Sequence, residues 1–147
     1  VFEVPSGIVV WKKSNEGNFE DVHSDYGLSF GNQIAISFWI NESGTIIGEN
    51  YNVSYVNNKT NLSYNNEKFQ FENSDSLIRN HMVISIDSTA HSKIYFNNNL
   101  IDTFNVDSDL SIGDKNITLF GELEDVIVFN KALSDSEVEG IYNHQFR

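Results

Sequence analysis

The stretch that decides the fold is residues 34–40, which read Ile-Ala-Ile-Ser-Phe-Trp-Ile. The large apolar side chains recur at every second position: Ile34, Ile36, Phe38 and Ile40. A period of two places alternate side chains on one face of an extended strand, whereas a helix needs spacings of three and four. The stretch therefore predicts a β-strand with one face in the core.

The same period recurs on both sides of this strand. We predict further strands at Ile8–Trp11, Gly27–Phe30, Thr45–Glu49, Asn52–Val56, Asn61–Tyr64, Lys68–Glu72, Met82–Ile86, Lys93–Phe96, Leu100–Phe104, Asn116–Phe120 and Glu122–Asn130. The run Asn97-Asn98-Asn99 predicts a tight hairpin, because Asn tolerates the positive φ of such turns. Many short strands separated by Asn, Ser and Gly indicate an antiparallel sandwich or barrel.

One segment near the C-terminus has a helical pattern instead. Ser134 is followed three residues later by Glu137, which is the pattern of a capping box. Val138, Ile141 and Tyr142 then follow at helical spacing. We expect one short helix over about residues 135–144 that folds back over one end of the sandwich.

Length and charge limit the class of protein. With 147 residues, 39% of them hydrophobic, the chain predicts a single domain over residues 1–147. Nine basic against 21 acidic residues give a net charge of −12, which disfavours nucleic acid as a partner. The sequence has no run of 18 apolar residues, so no membrane insertion is predicted. The absence of cysteine excludes disulfides and thiolate chemistry. A first residue of Val rather than Met suggests a processed protein or an excised domain.

Three stretches, in this order, resemble a known family. Ser37–Ile40 resembles its "sFWv" strand, and His81–Asp87 with Lys93–Ile101 resembles a strand followed by its "lYvDG" hairpin. Phe120–Val138 resembles its closing motif, "F-x-G-x-I-D-D-V-R-I-Y-N-R-A-L-S-D-x-E-I". The chain thus resembles the laminin-G-like and concanavalin-A-like lectin domains. The resemblance implies an all-β fold, an antiparallel two-sheet jelly-roll β-sandwich with one short C-terminal helix.

The closing motif also has a geometric consequence of its own. Leu123, Val126 and Val128 can all face inward only if Glu124-Asp125 forms a bulge. Glu124 stands where the family has the first Asp of a pair.

The candidate ligand-binding residues lie in the region most biased towards Tyr and Asn. Sugar recognition combines an aromatic platform with amide groups that pair with hydroxyls. We predict these ligand-binding residues: Tyr51, Asn52, Tyr55, Tyr64, Asn65 and Asn66.

Calcium is the candidate cofactor, because it takes six to eight oxygen ligands without a strict motif. The N-terminal segment often lies beside the closing strand in the fold that the resemblance implies. The candidate metal ligands are therefore Asp125, Glu124, Asp21 and Asp25.

No catalytic residue is predicted. The run from Glu122 to Ile127 lacks the third acid of sandwich glucanases, and no Ser lies in a G-x-S-x-G context. The favoured hypothesis is a non-catalytic lectin-like recognition or adhesion domain, extracellular or displayed on a cell or virion surface, that binds glycan or a surface protein. The alternative is a structural assembly module of a virion or surface appendage, which would form a homo-oligomer. A glycoside hydrolase is a distant third.

Overall fold

The computed structural model describes residues 7–11, 15–20, 33–48, 51–64, 66–73, 79–106, 116–129 and 131–145. Within these ranges the chain forms ten strands and one helix. In chain order they are β1 (Gly7–Trp11), β2 (Asn15–Glu20), β3 (Gln33–Ile47), β4 (Tyr51–Val56), β5 (Lys59–Tyr64), β6 (Glu67–Glu72), β7 (Asn80–Asp87), β8 (Ser92–Phe96), β9 (Asn99–Phe104), β10 (Asn116–Phe129) and α1 (Asp135–Gln145).

All strand pairs are antiparallel, and the described strands belong to one connected sheet. The strand order is β6-β5-β4-β3-β7-β8-β9, and β10 pairs with β1, β2 and β3. Strand β3 pairs with two different strands along one of its edges: residues 33–40 pair with β7, and residues 44–47 pair with β4. Strand β10 follows β3 through both parts. These two long strands therefore join the two halves of the sheet.

The sheet curls so that its two ends approach each other. The ring of Phe104 in β9 lies 4.7 Å from that of Phe69 and 5.2 Å from that of Phe71, both in β6. One face of the sheet thereby encloses the main core, to which strands β3 to β10 all contribute. The prediction of a mostly antiparallel β-fold with one C-terminal helix is confirmed, and the sheet is nearly barrel-shaped.

The strand boundaries depart from the prediction where separate strands merge. Residues 34–40 and Thr45–Glu49 were expected as two strands, and they form the single strand β3, which bends through the exposed residues Glu42 and Ser43. The two strands predicted after residue 115 merge likewise into β10. Strand β2 was not predicted, because its sequence Asn-Glu-Gly-Asn-Phe-Glu has no apolar alternation. The predicted strand Gly27–Phe30 lies outside the described residues.

A second, smaller core lies on the opposite face of the sheet, under the helix. It consists of Ala35, Val83, Tyr95, Ile127, Phe129, Leu133, Val138 and Ile141. The helix therefore covers the outer face of β3, β7, β8 and β10, and the expectation that it would close one end of the fold is corrected. The capping box is present, since Glu137 N donates to Ser134 Oγ (3.2 Å) and Ser134 N donates to Glu137 Oε1 (2.9 Å).

The predicted bulge in the closing strand is confirmed. Asp125 has a φ of 48°, and the register of β10 against β3 shifts between Glu124 and Ile127. As a result Leu123, Val126 and Val128 all face the main core, each 0% exposed.

Candidate functional site

The three tyrosines predicted as a ligand platform point into the core. Tyr51 and Tyr55 are each 3% exposed and Tyr64 is 0% exposed. Side chains two positions apart in a strand lie on the same face, so the tyrosines share a face with the apolar residues Val53 in β4 and Leu62 in β5. Burial of those apolar side chains turns the tyrosines into the core as well. The expectation of an exposed tyrosine surface is therefore corrected, and these side chains belong to the packing of the sheet.

The opposite face of the same three strands carries polar side chains instead. In the register of the sheet, Asn52 lies opposite Ser63 and Ser63 opposite Lys68. The neighbouring row has the same form, with Ser54, Asn61 and Gln70 side by side. We call this surface the outer patch, and it consists of Asn52, Ser54, Asn61, Ser63, Lys68 and Gln70.

The outer patch is concave. Its six residues, together with Leu62 and Phe69, line a depression of about 340 Å³. Gln70 Nε2 donates to Asn61 Oδ1 at 3.0 Å, which fixes the two amides relative to each other. Each amide keeps further donor or acceptor capacity for a ligand, because a carboxamide offers two N–H groups and an oxygen with two lone pairs.

Two turns hold these strands in register. Asn57 and Asn58 connect β4 to β5 with φ angles of 52° and 61°, and Asn66 lies in the β5–β6 connection with a φ of 70°. Asn reaches this region more easily than other non-glycine residues. Of the predicted ligand residues, Asn52 therefore lies in the outer patch and Asn66 serves a turn. Asn65 lies outside the described residues.

Five of the patch residues were missed by sequence reasoning: Ser54, Asn61, Ser63, Lys68 and Gln70. The signal that could have found them is the phase of the alternation. Val53 and Leu62 mark the inward side of β4 and β5, so the polar residues between them must face outward. The tyrosines were predicted to face a ligand because the amphipathic side chain of tyrosine suits a ligand surface as well as a core.

A serine and a histidine lie together elsewhere in the sheet, under the helix. Ser37 Oγ and His81 Nε2 are 2.8 Å apart, and their residues are 0% and 1% exposed. Burial, together with the charge of Arg79, lowers the pKa of His81 to about 3. A substrate cannot reach this pair, so its role is to satisfy buried polar groups and pack against Trp39, whose ring centroid is 4.7 Å from that of His81.

The predicted calcium ligands are only partly within the described residues. Glu124 forms an ion pair with Arg79 (3.2 Å), whose guanidinium also stacks 4.2 Å from the ring centroid of Trp39. Asp125 occupies the bulge. Asp21 and Asp25 lie outside the described residues, and within those residues no group of three or more His, Cys, Asp or Glu could hold a metal ion. Calcium binding stays a prediction.

A second depression lies at the β7–β8 turn. It has a volume of about 380 Å³ and is lined by Ser88, Thr89, Ala90, His91, Asn105 and Val106. Its lining is a turn and a strand end rather than a face built across several strands, which makes it the weaker candidate. The helix of the described residues is too short to cross a membrane.

Comparison with known proteins shows a likeness of fold. The structure is similar to the receptor-binding domain of botulinum neurotoxin mosaic serotype C/D, with a TM-score of 0.65 and 18% identity over 96% of this chain and 45% of that chain. It is also similar to a structure of botulinum neurotoxin type C, whose cell entry depends upon interaction with two ganglioside molecules. The TM-score is 0.63, with 17% identity over 86% of this chain and 38% of that one.

A third similar structure is the binding domain of botulinum neurotoxin DC in complex with rat synaptotagmin II, with a TM-score of 0.56 and 19% identity over 77% of this chain and 36% of that one. No family model and no curated protein matches the chain. The chain spans less than half the length of each of these structures, and what it shares with them is the fold of one part of each.

Proposed function

We propose that the chain is a non-catalytic, lectin-like recognition or adhesion domain that binds glycan at the outer patch. The observation that carries this proposal is the concave, amide-rich surface built in register across β4, β5 and β6. Paired amides and hydroxyls offer both donors and acceptors, as the hydroxyl groups of a sugar require. Binding sites of this kind combine a concave surface with a few convergent polar groups.

An exposed aromatic ring extends the same face. Phe120 lies opposite Thr45, which in turn lies opposite Ser54 of the outer patch. Its side chain is 47% exposed, although large apolar residues are usually buried. An aromatic face next to hydrogen-bonding amides suits a sugar ring, which has apolar C–H groups on one side and hydroxyls at its rim.

The fold comparison supports a binding role without fixing the ligand. Among the similar structures, botulinum neurotoxin type C interacts with two ganglioside molecules, and the binding domain of botulinum neurotoxin DC is in complex with rat synaptotagmin II. A surface protein is therefore the second class of ligand for this chain. The proposal includes the finer assignment to a jelly-roll sandwich of the laminin-G-like or concanavalin-A-like type, acting outside the cell or on a cell or virion surface.

A glycan array with the whole chain tests this proposal. We expect saturable binding to at least one glycan, and we expect Asn61→Ala and Gln70→Ala each to weaken that binding about tenfold, because each removes a group that would hydrogen-bond to the ligand. Asn143→Ala, at an exposed helix position, is the matched control and should bind as the parent does.

Two outcomes would overturn the proposal. Binding that survives both outer-patch variants would place the site elsewhere, with Asn105→Ala as the test of the second depression. Turnover of a β-glucan that is abolished by Glu122→Gln would replace a recognition domain with a hydrolase.

A further inference from the structure

The outer edge of strand β6 carries a further inference. Within the described residues β6 pairs with β5 alone and ends the strand order of the sheet. Its six residues contain no proline, and their register against β5 is continuous. Natural edge strands are usually protected by proline, bulges, short length or charged side chains, because an open edge can pair with another strand. This edge lacks the first two of those protections.

The charges of β6 are arranged symmetrically about its centre. Lys68 and Glu72 are both exposed, point to the same outer face and lie two residues on either side of Gln70. Neither forms an ion pair with the described part of its own chain. If a second β6 pairs antiparallel with Gln70 opposite Gln70, each Lys68 comes to lie opposite Glu72 of the second copy.

Other registers do not give this match. The two strands keep their outer side chains on a common face only when one residue lies directly opposite its own copy across the two-fold axis. The reason is that neighbouring residues of a strand point to opposite faces. An axis at Phe69 puts Lys68 opposite Gln70, and an axis at Phe71 puts Gln70 opposite Glu72. Only the axis at Gln70 pairs opposite charges, and it also aligns Phe69 with Phe71 of the second copy on the inner face.

The pairing would continue a charge pattern already present in the sheet. Lys59 of β5 lies opposite Glu72 within the chain. In the paired sheet each Glu72 would therefore lie between Lys59 of its own chain and Lys68 of the second copy. Opposite charges at directly facing positions stabilise a strand pair, and like charges destabilise it.

We propose that two copies of the chain associate edge to edge through β6, in an antiparallel pair centred on Gln70. The edge pairing shares Lys68 and Gln70 with the outer patch, but the association of two free chains requires no ligand. It would join the two outer patches into one continuous face, so that a ligand with two suitable sugar groups would bind both copies and gain affinity by avidity.

Sedimentation equilibrium over a range of concentrations tests this inference directly. We expect the parent chain to populate a dimer as concentration rises, and both Lys68→Glu and Glu72→Lys to weaken dimerisation about tenfold or more, because each replaces two attractive pairs with two repulsive ones. The double variant K68E/E72K exchanges the charges and should restore the dimer. Glu139→Lys, on the exposed helix surface, makes the same change of charge as Glu72→Lys and should leave the dimer unchanged.

The result can contradict the inference in two ways, and far-UV circular dichroism confirms that each variant is folded. A parent chain that stays monomeric at all concentrations overturns it. A dimer that neither single variant weakens, or that the double variant fails to restore, overturns this edge and register. Loss of glycan binding has no bearing on either result, so failure of the proposed function is distinguished from failure of this inference.

Discussion

His81 is a residue whose burial the sequence pattern does not predict. In the sequence it lies immediately before the predicted strand Met82–Ile86, at the strand boundary. In the structure it is buried against the rings of Trp39 and Tyr142, at centroid distances of 4.7 and 5.7 Å. The strand β7 is buried on both faces because the helix covers its outer side, and a strand pattern alone cannot reveal that cover.

Burial of His81 predicts a dependence of stability on pH. The folded pKa of about 3 lies below the ordinary 6.5, so between these values the unfolded chain binds a proton that the folded chain does not. The stabilisation is complete above pH 6.5 and is lost as pH falls. Between pH 7.5 and 5 the free energy of unfolding should fall by about 2 kcal/mol from this group.

Chemical denaturation of the parent and of His81→Gln, measured at both pH values, checks this. The variant is less stable at neutral pH but should lose less stability on acidification than the parent. Equal losses in both proteins would show that the pKa of His81 is the same in the folded and the unfolded chain.

The acids at the bulge give a second residue-scale prediction. If Asp125 binds calcium, millimolar calcium should raise the melting temperature, because a ligand that binds only the folded state stabilises it. Chelator should reverse the gain and Asp125→Asn, which tolerates the positive φ, should abolish it. Glu139→Gln, an exposed acid on the helix, should keep the full shift, and a parent chain without any shift would remove calcium from the account.

At the scale of elements, local chemistry predicted more than the wider pattern did. The capping box of Ser134 and Glu137, the Asn97-Asn98 turn and the bulge at Asp125 all follow from a few adjacent residues, and all three are confirmed. The position of the helix over the sheet face is not local. It depends on Ile127 and Phe129 facing Val138 and Ile141, contacts that only the folded chain brings together.

The helix cap can be tested by one substitution. Ser134→Ala removes the hydroxyl that accepts from Glu137 N and should cost about 1 kcal/mol of stability. Thermal unfolding of this variant beside Asn143→Ala separates the loss of the cap from a general effect of alanine. An unchanged melting temperature for Ser134→Ala would mean that the cap does not stabilise the helix.

The turn between β8 and β9 gives another test of an element. Asn97 and Asn98 have φ angles of 50° and 66°, a conformation that β-branched residues strongly avoid. Asn98→Gly should therefore leave stability nearly unchanged, whereas Asn98→Val should cost about 1–2 kcal/mol. Urea unfolding of both variants measures the difference, and equal stabilities would show that this backbone conformation is not required.

At the scale of the whole molecule, the alternation of strands predicts an antiparallel β-fold but leaves a sandwich and a barrel open. The choice depends on how far the sheet curls, which the contacts of Phe104 with Phe69 and Phe71 determine. These residues are more than 30 positions apart in the sequence. The sequence prediction placed the ligand residues on β4 and β5, where the tyrosines point into the core and Asn52 lies on the exposed face.

The overall charge is consistent with the proposed ligand class. A chain with a net charge of −12 repels polyanions at long range, whereas a mostly neutral glycan meets no such barrier. Within this acidic molecule the outer patch carries one positive side chain, Lys68, and no carboxylate among its six residues. The patch can therefore make hydrogen bonds without charge repulsion.

The proposed recognition surface is the outer face of β4, β5 and β6. The most direct measurement is a two-dimensional NMR titration of the isotope-labelled chain with a glycan identified on the array, following the side-chain amide signals. The account predicts saturable shifts of the Asn52, Asn61 and Gln70 amides, with the Asn105 and Asn143 amides unchanged. Saturable shifts that cluster around Asn105 instead, or binding that leaves all three outer-patch amides unmoved, would contradict it.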